Sequence, residues 1–464
     1  MLEFAPINNK NMARVRACYR RCRYAISDYS LGVKVMWKSF YHSQVAFAAE
    51  CMIVKEKFDG YDRFDFPVEE TDDADVWAAV DEIEKYCLIS RIPLVFYAVP
   101  DDKLGELIAR YRSVRIAKDR TAADYLYDAD KMMNFTGKHY SGQRNHINKF
   151  KKLYPEAAFR ELKKEDIPRV EKFFEKFDGE FEKHERFATA ELKHAKALLK
   201  HDFSWGCAGC MELDGKIISL AFGEICGETM IIHIEKALYE YEGIYPATVE
   251  AFAKRFCGGV RYINREDDMG DSGLRRSKEQ YRPIKLLEKT NVFVDTELMK
   301  IKRVPTIVGE RVVLDEITEL DKPAYNKLCL DDERNKYWGY DYKTDCTEPD
   351  DDFFFDCAAD DFSDDLEMSM AVRVCGKFAG EAVIYEFDGR GGASVGIRLL
   401  PKYEGKGIAK EAIEALINYA LYKINLSKVY AKCYKENVRS FKMLSSVMNR
   451  RGEDDKFFYF ERSV

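Results

Sequence analysis

The amino-acid sequence predicts an α/β (α+β) protein with mixed sheets, built from three units of one plan. Patterns typical of helices and of strands alternate along the whole of its 464 residues, which favours layered α/β folds over a helical bundle or a β-sandwich. Each unit repeats the order strand, helices, strand meander, helix, strand, helix, strand. We therefore expect three lobes, at residues 1–155, 156–297 and 298–464.

The first two units show these elements in turn. Residues 74–90, ADVWAAVDEIEKYCLIS, have apolar residues at helical spacing and precede a buried strand at 92–100. The second unit opens near Ala157 with a short strand, a turn and an amphipathic helix, for which Asp166 is the expected N-cap. Its first hairpin is predicted at Asp214-Gly215, and a helix and the strand VRYINRE follow.

The third unit follows the same plan. Residues 311–333 are predicted to form a strand, a turn and a helix, and the meander after them turns at Cys375-Gly376. Then come a glycine-containing loop, the helix KEAIEALINYALYKI, the strand KVYAKCYKEN, a helix from Val438 and the strand KFFYFERS.

Composition excludes several classes of protein. The chain is 46% hydrophobic and can bury cores, yet no apolar run approaches the roughly 18–20 residues that span a bilayer, and no signal peptide is expected at the N-terminus. Thirteen cysteines without a disulfide-framework spacing predict reduced thiols and a cytoplasmic location. The single CxxC, Cys207 and Cys210, has no second pair nearby, so we expect no metal site.

Charge is distributed unevenly along the chain. The net charge of −7 argues against wholesale coating of nucleic acid. Residues 138–152 nevertheless carry five lysines or arginines and no acid, whereas residues 345–367 carry eleven acids and no base. The acidic run either draws a basic acceptor or is solvated surface.

A glycine loop in the third unit is a candidate phosphate site. The strand ASVGIRLLP runs directly into KYEGKGIA, where a helix begins. A helix N-terminus has unpaired N–H groups and the positive end of the helix dipole, which suit a pyrophosphate. Gly405 and Gly407 permit close approach of the backbone, and Lys406 adds a charge. A G-x-G pattern alone is weak evidence for phosphate binding, and a plain glycine-rich turn is the alternative.

Residues 299–464 resemble the GNAT superfamily of acetyl-CoA-dependent N-acetyltransferases, closest to its ribosomal-protein N-acetyltransferase branch. The resemblance is carried by NKYWGYDY, GEAVIYEFDGRGGASVGIRLLPKYEGKGIAKEA and KCYKENVRSFKML. It implies acetyl-CoA as cofactor, held by its pyrophosphate on loop amides and by its pantetheine arm near an Asn-x-x-Ser motif. The cofactor-binding residues that it implies are Leu399, Glu404, Gly405, Lys406, Gly407, Ile408, Ala409, Asn437 and Ser440.

Two residues depart from the pattern of that family. Glu404 stands where the family has Gln or Arg, and Leu444 stands where many members have a tyrosine that protonates the departing thiolate. The first change removes or reverses one side-chain contribution to phosphate binding. Neither change affects the backbone cradle.

An amine acceptor has to lose a proton before it attacks, because its pKa is near 10.4. All histidines lie at or before His233, so the candidate bases of the third unit are Glu381 and Glu386. Being five apart, only one of them can face the cleft of a regular strand; we prefer Glu386, acting through water, and a solvated edge carboxylate is the alternative. Trp338, Tyr340 and Asp341 resemble the acceptor-side loop, and aromatic core packing is their alternative.

Residues 1–297 resemble the family named after the C-terminal domain of phosphatidylglycerol lysyltransferase, which contains two GNAT-like lobes in tandem. The resemblance is carried by residues 125–152 and 263–289. It implies transfer of an aminoacyl group from charged tRNA. The residues themselves suit an anionic ligand such as tRNA phosphate, a phosphorylated small molecule or a lipid head group. The candidate ligand-binding residues are Arg144, Lys149, Asn264, Glu266, Asp268, Arg275 and Lys278, with Arg275, Lys278 and Arg282 on one helical face. Interdomain ion pairs and solvated faces are the alternative.

These observations together predict an acyltransferase, an acetyl-CoA-dependent N-acetyltransferase of an amine-bearing small molecule or peptide. The first alternative is an aminoacyl-tRNA-dependent aminoacyltransferase. The second is a non-catalytic module that senses acyl-CoA or tRNA.

Overall fold

The structure is a computed structural model that describes residues 2–180, 193, 195, 196, 198, 199, 205–344 and 346–464. Asp345, the first residue of the predicted acidic run, lies outside the described residues. The described α-helices are α1 (Met12–Arg21), α2 (Leu31–Met36), α3 (Lys38–Tyr41), α4 (Val76–Ser90), α5 (Asp101–Ala109), α6 (Ala129–Asn134), α7 (Ser141–Leu153), α8 (Ile167–Glu180), α9 (Ile244–Phe256), α10 (Ser272–Gln280), α11 (Lys322–Cys329), α12 (Asp332–Asn335), α13 (Phe353–Ser363), α14 (Ile408–Tyr422) and α15 (Val438–Ser445).

The strands of the described residues form three sheets. In chain order they are β1 (Ala5–Pro6), β2 (Gln44–Ala48), β3 (Cys51–Phe58), β4 (Tyr61–Asp65), β5 (Val68–Glu69), β6 (Val95–Val99), β7 (Val114–Lys118), β8 (Asp124–Asp128), β9 (Ala158–Glu161), β10 (Cys207–Leu213), β11 (Lys216–Cys226), β12 (Thr229–Ala237), β13 (Tyr262–Asn264), β14 (Lys285–Leu287), β15 (Thr290–Val294), β16 (Ile307–Val308), β17 (Val312–Asp315), β18 (Glu367–Val374), β19 (Lys377–Tyr385), β20 (Gly392–Leu399), β21 (Lys428–Tyr434), β22 (Asn449–Glu453) and β23 (Phe457–Ser463).

The sheets are mixed, as the sequence predicts. The first has the order β1-β2-β3-β4-β6-β15-β7, with β5 on β3; the second has β14-β8-β13-β12-β11-β10-β9; the third has β16-β17-β18-β19-β20-β21-β23-β22. Each combines antiparallel hairpins with a parallel pair, at β4/β6, β12/β13 and β20/β21 respectively. This recurrence confirms the predicted α/β fold class of repeated units.

The chain divides into two compact units. Unit 1 comprises Met1–Ile83, Val95–Leu104 and Ile116–Val292, and unit 2 comprises Glu84–Leu94, Gly105–Arg115 and Phe293–Val464. The first sheet takes β15 from near residue 290, and the second takes β8 from upstream of residue 155. The lobe limits at residues 155 and 297 stay predictions.

Local sequence accounts for the sheet of unit 2. The hairpin β18–β19 turns at Cys375 and Gly376, where the sequence predicts it. Strand alternation sends Ala382 and Ile384 of β19 into a core that α14 covers with Leu416 and Ile417. The alternate residues of β19, Glu381, Val383 and Tyr385, therefore face the other side of the sheet, where the candidate site lies.

Candidate active site

A cavity of about 1840 Å³ opens in unit 2. Its wall is formed by parts of residues 84–94, 294–299, 325–342, 354–367, 381–389, 395–413 and 432–444. The predicted site residues in that wall are Trp338, Tyr340, Glu381, Glu386, Leu399, Glu404, Gly405, Gly407, Ile408, Ala409, Asn437 and Ser440. Lys406 and Asp341 are not part of the wall.

Two parallel strands separate along one side of this cavity. Strands β20 and β21 pair only from Gly392 to Ser394, opposite Lys428 to Tyr430. Both strands continue, to Leu399 and Tyr434 respectively. Beyond Ser394, the edge of β20 that faces β21 has backbone groups free to bind an inserted amide chain.

The glycine loop follows β20 directly and ends at the start of α14. Gly407 is the N-cap of α14, with φ 77, and no side chain caps the helix. Ile408 is buried in the core, and Lys406 Nζ donates to the carbonyl of Lys402. The first N–H groups of a long helix are therefore left without a side-chain partner beside a cavity, which is the arrangement that suits an anion.

Glu404 is neutralised by two arginines. Its Oε1 accepts from Arg334 Nε at 2.9 Å, and its Oε2 accepts from Arg439 Nη1 at 3.0 Å. The three side chains together carry a charge of +1. The acid that departs from the family pattern therefore does not make the rim of this loop negative.

The Asn-x-x-Ser motif shapes the start of α15. Asn437 is the N-cap, and its Oδ1 accepts from Ser440 N at 3.1 Å. Leu444 is buried and lies in the cavity wall. The motif thus fixes the position of α15 at the cavity.

Glu381 is held in a buried network. Its Oε1 accepts from Tyr325 Oη at 2.7 Å and Ser369 Oγ at 2.9 Å, and its Oε2 lies 2.6 Å from Arg398 Nη2. Burial and this carboxylate raise the pKa of the Tyr325 phenol. Both oxygens of Glu381 are therefore occupied by internal partners.

Glu386 lies where β20 and β21 separate. Its Oε2 accepts from Ser394 Oγ at 2.8 Å, and its Oε1 is 3.5 Å from Lys432 Nζ. The parity argument from sequence is wrong, because β19 ends at Tyr385 and Glu386 follows it with φ 52. Glu381 and Glu386 consequently both face the cavity.

Sequence reasoning missed Glu367, the last acid of the acidic run. On β18 it pairs with Tyr385, which pairs in turn with Ser394 of β20, so these three residues form one row across the sheet. Burial raises the pKa of Glu367 to about 7, although Arg91, 3.3 Å away, opposes the shift. Its position at the start of a strand rather than in a loop is the signal that could have found it.

The aromatic segment 337–342 contacts the buried network of Glu381 through Arg398. The Trp338 ring stacks on the Arg398 guanidinium, 4.3 Å from its carbon, and Tyr340 is 41% exposed. Asp341 is exposed and accepts from Lys343 N at 3.1 Å. Trp338 and Tyr340 thus present aromatic surface to the cavity instead of packing in a core.

In unit 1, the predicted candidates Asn264 and Asp268 are each held by internal hydrogen bonds. Asn264 donates to the Ala25 carbonyl at 2.7 Å and to Asp124 at 2.8 Å. Asp268 accepts both Nε and Nη2 of Arg275, at 2.8 and 2.9 Å, and the Tyr125 hydroxyl at 2.6 Å. Burial alone would raise the pKa of Asp268, but these donors hold it well below its usual value.

The predicted basic candidates of unit 1 are also engaged internally. Lys278 is buried and donates to the carbonyls of Arg265 and Asp267, and burial lowers its pKa. Arg144 donates to the carbonyls of Phe135 and Gly137, and Lys149 pairs with Glu242 at 2.6 Å. Gln143 of α7 donates to the Gln280 carbonyl of α10 at 2.8 Å, so the two helices meet. Arg144, Lys149 and Lys278 are nevertheless each bonded to other groups of the protein.

The predicted basic face of helix α10 is wrong at Arg282. Helix α10 ends at Gln280, and Arg282 follows with φ 57. A residue in the left-handed region cannot continue the helix. Arg282 therefore does not share a helical face with Arg275 and Lys278.

The buried contacts of His233 lead us to expect that the protein loses stability at alkaline pH. Its ring nitrogens lie 2.8 Å from Glu266 and 3.0 Å from Glu224, and a Cβ on Gly32 would overlap the ring. Burial lowers the imidazole pKa, but the two carboxylates outweigh it and raise the pKa from 6.5 to about 9. The stabilisation, about 3 kcal/mol, is complete below pH 6.5 and disappears as the pH rises through 9.

We expect the unfolding free energies of the native protein and of His233→Gln to converge between pH 6.5 and 9, measured by urea denaturation. His146→Gln, on the exposed side of α7, is the control and should leave the unfolding free energy close to that of the native protein. A gap that widens with pH would contradict the assignment.

No helix among the described residues is long and apolar enough to cross a membrane. Cys207 and Cys210 lie on β10 as free thiols.

Both parts of the chain match models of known protein families. Residues 19–292 match the family model "Phosphatidylglycerol lysyltransferase, C-terminal", and residues 311–447 match the acetyltransferase (GNAT) domain. A conserved protein of unknown function from Bacteroides thetaiotaomicron has a similar fold, with a TM-score of 0.58 and 24% identity over 64% of this chain and 100% of that chain.

Curated relatives cover shorter stretches. An uncharacterized protein of Mycoplasmoides gallisepticum is 27% identical over 180 residues, which are 38% of this chain and 57% of the relative. The uncharacterized N-acetyltransferase YnaD of Bacillus subtilis is 32% identical over 72 residues, which are 16% of this chain and 42% of the relative. The chain thus spans less than two thirds of either relative.

The first family model covers more than half of the chain, and the second covers most of the residues that line the cavity of unit 2. This chain therefore belongs to the phosphatidylglycerol lysyltransferase C-terminal family and carries an acetyltransferase (GNAT) domain after the family's region.

Proposed function

We propose that unit 2 is an acetyl-CoA-dependent N-acetyltransferase of an amine acceptor. One observation carries the proposal: the separating strands β20 and β21 and the uncapped N-terminus of α14 border the same cavity. The strands offer free backbone groups to an amide-containing arm, and the helix offers N–H groups to a pyrophosphate. Coenzyme A contains both.

The residues present fit that cofactor. The amides from Gly405 to Ala409 would bind the pyrophosphate, and the edge of β20 up to Leu399 would bind the pantetheine arm. Asn437 and Ser440 would place α15 beside that arm. When bound, acetyl-CoA supplies an acetyl group activated as a thioester.

Protein side chains would then prepare the amine. We assign proton acceptance, through a water molecule, to Glu386, because it lies at the separation point and hydrogen-bonds Ser394. Glu381 would hold Arg398, and through it Trp338 would bound the acceptor space. Acids of α13 and the segment after it line the cavity and would attract a cationic small molecule or peptide: Asp360, Asp361, Asp364 and Asp365.

Calorimetry with CoA and acetyl-CoA tests the proposal. Binding in the micromolar range, with acetyl transfer to members of an amine panel, is the expected result. No heat of binding at millimolar ligand would refute it. Binding without transfer to any amine would favour a sensor of acyl-CoA.

The thirteen cysteines are free, and we propose that the protein acts in the cytoplasm.

Gly407→Val should weaken CoA binding about 10- to 100-fold. The residue has φ 77, and its Cβ would lie 3.3 Å from Arg311 Nη2, so a β-branched residue costs about 1–3 kcal/mol or displaces the amides. Gly376→Val is the matched control, because Gly376 has φ 72 in open space outside the cavity wall. Equal affinity losses in both variants, by calorimetry, would contradict the cradle.

The match of residues 19–292 favours a second candidate function, aminoacyl transfer from charged tRNA by unit 1. Binding of charged tRNA should then weaken as salt rises. Arg276→Gln, which removes an exposed cation of α10, should reduce the salt slope by about one. If the protein binds no charged tRNA even at low salt, this second candidate function is ruled out.

A further inference from the structure

Glu404 connects two segments that are remote in sequence. Its carboxylate receives Arg334 of α12 on one oxygen and Arg439 of α15 on the other. Arg334 lies 70 residues before Glu404 and Arg439 lies 35 residues after it. A single carboxylate at the entrance of the glycine loop therefore joins the acceptor side of the cavity to the helix that borders the cofactor arm.

The connection continues from α12 to Trp338. Asn335, next to Arg334, accepts from Arg398 Nη1, and its carbonyl accepts from Trp338 N at 2.9 Å. The Trp338 ring in turn rests on Arg398. A movement of α12 would thus be transmitted to the ring that bounds the acceptor space.

The two arginines are held differently. Arg439 is 88% exposed and pairs with Glu404, and a guanidinium has five N–H donors. Arg334 is 21% exposed and also lies 3.6 Å from Asp331. A phosphate carries more charge and more acceptor oxygens than one carboxylate, so it can draw the exposed arginine away while the enclosed one stays.

We propose that Glu404 is a positioning residue that couples the cofactor loop to the acceptor segment: when cofactor phosphates reach the loop, Arg439 turns to them, Glu404 pairs with Arg334 alone, and α12 carries Trp338 with it. The proposal rests on the proposed function, since it needs CoA in this cavity. It assigns Arg439 as a phosphate ligand and gives the family-atypical acid a role.

Tryptophan fluorescence reports the coupling without knowledge of the acceptor. CoA should change the fluorescence of the protein, and Trp338→Phe, which removes one of four tryptophans, should abolish that change. In Glu404→Gln the change should disappear while calorimetry still detects CoA binding within about threefold of the native affinity. Glu404→Asp should restore part of it. Arg439→Gln should weaken CoA binding about five- to tenfold.

Glu461→Gln is the matched control. Glu461 also bridges two cations, at 3.5 Å from Lys428 and 3.8 Å from Arg451, and is 25% exposed compared with 30% for Glu404. Its replacement should leave both the affinity and the Trp338 signal unchanged.

Three outcomes would contradict the coupling, and one of them would also contradict the proposed function. A Trp338 signal that persists in Glu404→Gln, or a CoA-induced signal that persists in Trp338→Phe, overturns the coupling and leaves the proposed function intact. Native protein that shows no heat with CoA overturns the proposed function and the coupling with it.

Discussion

Glu386→Gln is expected to lower kcat for acetyl transfer by about 10²–10⁴. Glutamine keeps the hydrogen bond with Ser394, 2.8 Å away in the native protein, but cannot take a proton from the amine. The fold and the cofactor site should therefore survive the change. The measurements are kcat and KM with the best amine of a panel, and CoA affinity by calorimetry, which should stay within about threefold.

Two other carboxylates serve as comparisons for this result. Glu381→Gln should mainly reduce stability, because it leaves the Arg398 guanidinium, which is 10% exposed, without its counter-charge. Glu367→Gln removes the carboxylate of the row Glu367–Tyr385–Ser394, whose Ser394 hydrogen-bonds Glu386. If kcat falls in Glu367→Gln and not in Glu386→Gln, the proton acceptor is Glu367 and our assignment is wrong.

Lys289→Met is expected to destabilise the protein by about 3–5 kcal/mol. Lys289 Nζ lies 2.9 Å from Asp28, 3.1 Å from Asp124 and 3.3 Å from Asp267, and its side chain is 7% exposed. Burial alone would raise the pKa of Asp28, but the lysine helps to hold it at about 2. Without the ammonium, three enclosed carboxylates would have lost a shared counter-charge.

The measurement is urea unfolding of the whole chain, followed by circular dichroism. Lys285→Met is the matched control, because Lys285 pairs with Asp101 at 2.6 Å but both side chains are about half exposed. It should cost less than about 1 kcal/mol. Equal losses in the two variants would show that the Lys289 cluster is not a buried charge centre.

This prediction bears on the family resemblance of unit 1. Asn264, Asp268, Arg275 and Lys289 all lie in the segment 263–289 that carries it. In the structure Asp268 binds Arg275, and Asn264 and Lys289 both bind Asp124 of β8. The match of this segment therefore includes a polar core that holds unit 1 together, which residue types alone do not distinguish from a ligand site.

Local signals in the sequence predicted the fold class and many of its helices and strands. Two-residue periodicity and turn residues predicted the hairpin at Cys375-Gly376, and helical periodicity predicted α14 to within a few residues of Ile408–Tyr422. The strand–glycine loop–helix order located the candidate phosphate cradle without any structure. These features depend on neighbours within a few residues, and that is the range over which a sequence pattern acts directly.

The tertiary structure determines the partner and the environment of each charged side chain. The sequence by itself determined the repeated α/β plan, the glycine loop and the carboxylates available to an amine. Only the packed chain shows that Glu381 is occupied by Arg398, that Glu386 lies where two strands separate, and that Glu404 is neutralised by Arg334 and Arg439. The partner of a charged side chain can come from any distance along the chain, so its role follows from packing and burial rather than from residue type.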